Sequence, residues 1–203
     1  MTSEATETVA NLYRFLSAVL ADPPRPEAVR EFKAGLLPGA TELPTKPLQR
    51  GFQSMREWAD SIDDVEATAN ALERAHTRLF VGPRPALQIH ESYYAGDYLG
   101  QPLVTLKKRY ATLGIQPSEG LKEEPDHAAV VLAALAVLTR QEGDRLPAKR
   151  AFLESHGWWL PSLAADIRET AESPFYEAVG EVLDGLIRHD TARLEIEFDP
   201  PGD

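Results

Sequence analysis

Two Glu-x-x-His pairs, Glu73 with His76 and Glu124 with His127, carry the spacing from which helical di-iron carboxylate sites are built. Such a site needs both members of a pair on one helix face. Glu124 directly precedes Pro125, and the proline ring drives its predecessor toward extended backbone, so the second pair is broken by its own sequence. His76 runs in phase with Leu72 and Leu79 and reads as a core or boundary histidine with one satisfied hydrogen bond. A di-metal helical protein therefore stands only as an alternative reading. Asp126 and His127 have the types of an acid–base pair, because a carboxylate tunes a neighbouring imidazole. Adjacent helical residues point about 100° apart, however, and the plainer roles are support of a helix start and the filling of a turn.

No Gly-x-Ser-x-Gly elbow, Gly-x-Gly-x-x-Gly turn or Walker loop occurs, so hydrolase and nucleotide chemistry have no motif behind them. Cysteine is absent, which removes disulfides, thiolate metal sites, iron–sulfur ligation and thiol nucleophiles. The 203 residues carry 32 Asp plus Glu against 21 Lys plus Arg, a formal charge of -11 that repels phosphate backbones and argues against nucleic acid as a partner. The same charge steers toward basic partners. Met1 to Val9 has neither a positive n-region nor an apolar h-region, so no secretory signal is expected. The longest apolar run, Ala128 to Leu138, is about half of the roughly 20 residues that cross a bilayer. A cytoplasmic protein without membrane insertion is the expectation.

Stepping along the chain, apolar residues recur every three to four positions. Val9 to Leu20 forms the first helix, stopped by Asp22-Pro23-Pro24; a short second one starts at Pro26 and carries Val29, Phe32 and Leu36. Leu48 to Ile62 and Val65 to Leu79 give two more, the latter closed by Gly82-Pro83. Val81 to Gly100 breaks the period and reads as a long ordered loop, a length that tends to be functional. Leu103 to Leu113 is a fifth helix, followed by a loop from Gly114 to Glu124. Pro125 and Asp126 open a helix that is apolar all round, and such a helix is expected at the centre of a bundle. Pro147 to His156, Leu160 to Ala171 and a last helix from Ser173-Pro174 complete the pattern, with Trp158-Trp159 as an aromatic hinge. No strand pair is found. The expectation is an all-α, single-domain helical bundle of about nine to ten helices spanning residues 1–203, with 190–203 a short acidic tail. Phe80 and Leu135 are expected in its core.

Five segments in fixed order carry a resemblance: Arg78-Leu79-Phe80-Val81-Gly82-Pro83, Glu91-Ser92-Tyr93-Tyr94, Pro125-Asp126-His127, Phe152 through His156 to Trp159 and Pro161, and Pro174-Phe175-Tyr176. Together they resemble the TorD/DmsD/NarJ superfamily of redox-enzyme maturation chaperones; Pro125-Asp126-His127 is closer to the NarJ-like Pro-Asp-His than to the Glu-Pro-x-Asp-His of TorD-like and DmsD-like members, and the subfamily is left open. The resemblance implies a non-enzymatic cytoplasmic chaperone with no cofactor of its own. Its partners would be the catalytic subunit of a dimethyl-sulfoxide-reductase-type molybdenum or tungsten oxidoreductase, awaiting its cofactor, and that subunit's twin-arginine signal peptide. A homodimer is left open. A helical scaffold or regulatory subunit for a folded partner is the rival reading.

A twin-arginine peptide presents two cations and then an apolar stretch, so its receptor needs carboxylates bordering an apolar groove. Glu123, Glu124, Pro125, Asp126 and His127, at the mouth of the most apolar helix, supply this if they meet the loop Glu91, Ser92, Tyr93 and Tyr94.

Overall fold

The apolar period becomes helix along the chain in a computed structural model that describes residues 3–35, 43, 45–116 and 123–198. Among the described residues ten α-helices follow in order: α1 (Ser3–Ala21), α2 (Pro26–Lys33), α3 (Lys46–Asp60), α4 (Val65–His76), α5 (Glu91–Tyr94), α6 (Gln101–Leu113), α7 (Ala128–Arg140), α8 (Glu142–His156), α9 (Leu160–Thr170) and α10 (Pro174–Leu194). A π-helical turn, Thr77–Val81, extends α4. Among the described residues the one β-type pairing is an isolated bridge between His90 and His127, and the fold is all-α as expected. Leu36 and part of the loop after Gly114 lie outside the described residues.

The chain divides into two compact units. The first contains α1, α5 to α8 and the end of α10; the second contains α2 to α4, the π turn, α9 and most of α10.

In the first unit α1 runs antiparallel to α7. Ser17 donates to the Ala129 carbonyl at 2.7 Å near one end, and near the other Arg140 holds Glu7 at 2.7 Å and Asn11 at 3.0 Å. Val131, Leu132, Leu135 and Leu138 of α7 are buried. Enclosure is incomplete, though. Val130, Ala133 and Val137 fall on one face at helical spacing and are not buried, with Val137 41% exposed, so the all-apolar helix keeps one open stripe among the described residues.

Three boundaries differ from the sequence pattern. The helix expected at Pro125 starts at Ala128, because Glu124 to His127 close a turn (His127 N–H to the Glu124 carbonyl, 3.0 Å) and the Asp126 side chain leaves the helix axis for another partner. α8 starts at Glu142, ahead of Pro147. The carbonyl that this proline deprives of a donor is that of Gly143, an exposed residue in the first turn, where the proline costs least. The stretch read as a tail from residue 190 is helical through Leu194, and Leu194 and Ile196 are buried, so its apolar alternation serves packing.

The second unit packs Phe32, Trp58 and Phe175 with ring centroids 4.7–5.9 Å apart. His76 is buried with Phe80 at 5.2 Å and Tyr176 at 6.0 Å, while Glu73 faces solvent, so the Glu73-x-x-His76 pair does not converge. Helices α3 and α10 approach through glycine. A Cβ added at Gly51 would stand 2.8 Å from the Val182 amide nitrogen, and one added at Gly185 2.8 Å from that of Leu48. Backbone cannot give way as a side chain does. Gly51→Ala is therefore expected to destabilise by about 1–3 kcal/mol in urea denaturation, although alanine at an open helical site gains about 1 kcal/mol. A stabilised variant would show that the two helices can separate freely.

Candidate functional site

The two segments singled out in the sequence meet in the first unit. The Ala128 N–H donates to the Ile89 carbonyl at 2.8 Å and the Glu91 N–H to the Asp126 carbonyl at 3.0 Å, on either side of the His90–His127 bridge. This pairing occupies an N–H that a helix start leaves without an intrahelical partner. The next amide, Ala129, donates to Nδ1 of His127, which caps α7 from within. An accepting Nδ1 places the ring proton on Nε2, which faces the Glu123 carboxylate at 3.7 Å.

Asp126 has no exposed surface. Its Oδ2 accepts from the Ser92 hydroxyl at 2.6 Å and the Ser92 N–H at 3.2 Å. The same hydroxyl oxygen accepts from the Leu99 N–H at 3.0 Å. Leu99 has φ +56°, a left-handed conformation that a side chain disfavours, and the Ser92 bond holds it there. Behind this junction lies a second buried pair, Glu91 and Nδ1 of His156, at 3.0 Å. Burial pushes the Glu91 carboxyl above its ordinary range, against the pull of His156 and of Trp158. Aromatic packing encloses the pair: Phe152 lies 5.4 Å from the His156 ring and 5.7 Å from Tyr110, and Trp159 lies 5.2 Å from Tyr94 and donates to the His156 carbonyl at 3.0 Å. Tyr110 donates to the Pro125 carbonyl at 3.0 Å. Burial, with Glu91 and Asp126 nearby, raises its phenol and keeps it a donor.

The expected site residues thus divide in two. Glu91, Ser92, Asp126 and His127 are buried: Ser92 and Asp126 bond each other, Glu91 pairs with His156, and His127 caps α7. Tyr93 and Glu124 are exposed; Tyr94, Glu123 and Pro125 are half-buried. Beside Pro125 opens an apolar groove of about 780 Å³, lined by Tyr110, Ile115, Ala129 and the open stripe of α7, with Ser17 and Ala21 of α1 on its wall. Two features were not singled out as site residues. His156 was visible within a quoted motif, but its pairing with Glu91 spans 65 residues. The groove has no sequence signal beyond an apolar run without a polar face. Pro125 lines the apolar groove, Glu123 and Glu124 directly precede it in the chain, and Asp126, bonded to Ser92, follows it.

Comparison with known proteins agrees in kind. The profile of the family described as nitrate reductase delta subunit matches residues 45–165, more than half of the chain. The chaperone protein TorD of Vibrio parahaemolyticus serotype O3:K6 (strain RIMD 2210633) is 29% identical over 118 residues, covering 50% of this chain and 55% of that protein. The match therefore spans about half the length of this curated relative.

Ser92→Ala removes the donor to Asp126 and the acceptor of Leu99 together. A loss of about 1.5–3 kcal/mol in unfolding free energy is expected, since hydrogen bonds to charged groups carry that much. Amide exchange at Leu99 should accelerate in the same variant; unchanged exchange would mean that the strained turn stands without the serine.

Titration of His90 supplies a pH signature. Burial lowers its pKa, outweighing Asp126, Glu123 and Glu124, which raise it, and its Nδ1 is buried without a hydrogen-bond partner. The unfolded chain then binds a proton more readily than the folded one below the ordinary value of about 6.5. His90 therefore contributes stability that is present above that pH and is lost as pH falls through the window beneath it. Unfolding free energies of the parent protein and His90→Gln, measured from pH 7.5 down to 5.5, should show the parent losing more; parallel curves would exclude this contribution.

Proposed function

The chain belongs to the nitrate reductase delta subunit family, and from that premise we propose that it is a non-enzymatic maturation chaperone for the catalytic subunit of a molybdenum or tungsten oxidoreductase. It acts in the cytoplasm, binding the subunit and its twin-arginine leader before cofactor insertion. The supporting observation is the apolar groove beside Pro125, with Glu123 and Glu124 directly preceding that residue.

In this reading the two leader arginines pair with Glu123 and Glu124, whose partial exposure leaves them reachable and screened. The apolar stretch that follows lies along Val130, Ala133 and Val137 as a helix in a groove, removing the open stripe of α7 from water. Asp126 and Ser92 do not touch the peptide. They hold the loop and the start of α7 at fixed separation, so little ordering entropy is lost on binding. Tyr93, 52% exposed, is placed to add an aromatic contact.

Titration of a synthetic twin-arginine leader into the double variant Glu123→Lys, Glu124→Lys should read about tenfold weaker affinity at low salt. The difference should narrow toward 1 M salt, where the Debye length falls to about 3 Å. Equal affinity of the variant and the parent would remove these carboxylates from the site. Affinity capture from the native host should bring down a cofactor-free subunit that keeps its leader; recovery of mature holoenzyme alone would favour a scaffold role.

A further inference from the structure

The motif Arg78 to Pro83 has no part in the groove of the first unit, yet it builds a distinct feature of the second. Gly82 N–H closes the π turn onto the Thr77 carbonyl at 2.7 Å. Pro83 has no N–H to continue the ladder. The carbonyls of Arg78 and Leu79 are taken instead by Ala86 N–H at 3.0 Å and Leu87 N–H at 2.9 Å, which folds the chain back on itself. Two prolines, Pro83 and Pro85, fix φ on either side of Arg84. π turns are rare and frequently mark functional positions.

This fold-back forms one wall of an open recess of about 830 Å³, lined by Arg74, Arg78 and Arg84 with Glu73 and Thr77. Arg78 already holds a carboxylate there, that of Glu172 at 2.6 Å, on a side chain 77% exposed and therefore easily exchanged. Arg74 and Arg84 are exposed and have no carboxylate partner among the described residues. On a chain with 11 more acidic than basic side chains, three arginines against the carboxylates of Glu73 and Glu172 make a local excess of positive charge.

We propose that the Arg74, Arg78 and Arg84 recess is a docking surface for a carboxylate-rich segment of the client protein, engaged apart from the leader peptide. Identifying that protein as a client rests on the function proposed above. The lining favours protein carboxylates over a nucleotide phosphate for two reasons. Among the described residues no aromatic ring lines the recess to stack a base, and Val81, the last residue of the π turn, is 64% exposed, an apolar contact suited to a protein surface. Arginine also pairs bidentately with single carboxylates, and Arg78 already bonds one, that of Glu172.

The test is the double variant Arg74→Glu, Arg84→Glu in the full chain. Both side chains are exposed, so folding is checked by an unchanged thermal melt. Two titrations are run at 50 and 300 mM salt, one with the leader peptide alone and one with the leaderless catalytic subunit. The expected result is unaltered leader affinity, with affinity for the leaderless subunit lowered about tenfold at 50 mM and less at 300 mM. Equal affinity of parent and variant for the leaderless subunit overturns the recess as a docking surface. So does arginine-dependent binding of inorganic pyrophosphate that displaces the subunit, which would assign the recess to a phosphate ligand. Failure of the parent to bind the leader is a separate result, and it strikes the proposed function rather than the recess.

Discussion

Asp126 has no contact with water, and a carboxylate so placed is tolerable only when its oxygens are bonded. Ser92 supplies two donors to one oxygen, from side chain and backbone, while Oδ1 stays without a partner among the described residues. A residual desolvation penalty is therefore built into the junction. It is offset by what the junction orders: the bridge at His90 and His127, the capped start of α7, and the left-handed turn at Leu99. One serine hydroxyl thus ties the Leu99 turn, close by in the chain, to Asp126, 34 residues away. Loss of that group loosens them together, because each is held partly by the others.

The helices were legible because their apolar residues keep a 3.6 period over ten or more positions, and α1, α3 and α4 follow it closely. What eluded the sequence is what periodicity does not carry. α5 has four residues, too short to display a period, and it forms because Ala95 and Gly96 close it while Ser92 is bound from outside. The start of α7 lies three residues beyond the one its sequence marks, because a distant partner decides it. Pro125 and Asp126 have first-turn character, but the Asp126 side chain is drawn to Ser92, 34 positions away, and His127 takes over the cap.

For the candidate site, the meeting of two segments was a condition that the sequence could state and not decide. They do meet, at the bridge between His90 and His127. Of the four acidic residues expected to face a cationic peptide, however, Glu91 and Asp126 are internal and Glu123 and Glu124 are reachable. Sequence gives the charge of a side chain but not its direction. The groove was hidden for a related reason: a helix apolar on every face offers no polar residue to mark which side stays open.

Leaving Val130, Ala133 and Val137 in contact with water invites self-association, since any apolar helix could cover them. The charge of the chain bears directly on which occupant is admitted. A second copy brings another formal charge of -11 to the groove, and the repulsion opposes pairing over the 8 Å or so that physiological salt leaves unscreened. A segment that leads with cations meets the opposite field at Glu123 and Glu124 and gains affinity where a purely apolar segment gains none. In the function proposed above, selectivity would come from the difference between these two cases, with the apolar stripe supplying attraction and the acidic residues supplying discrimination. A rigid floor is needed for both, because carboxylates on a mobile loop would lose in ordering entropy what they gain in attraction. The buried Asp126 junction provides that rigidity, which ties the least exposed carboxylate of the site to the behaviour of the most exposed ones.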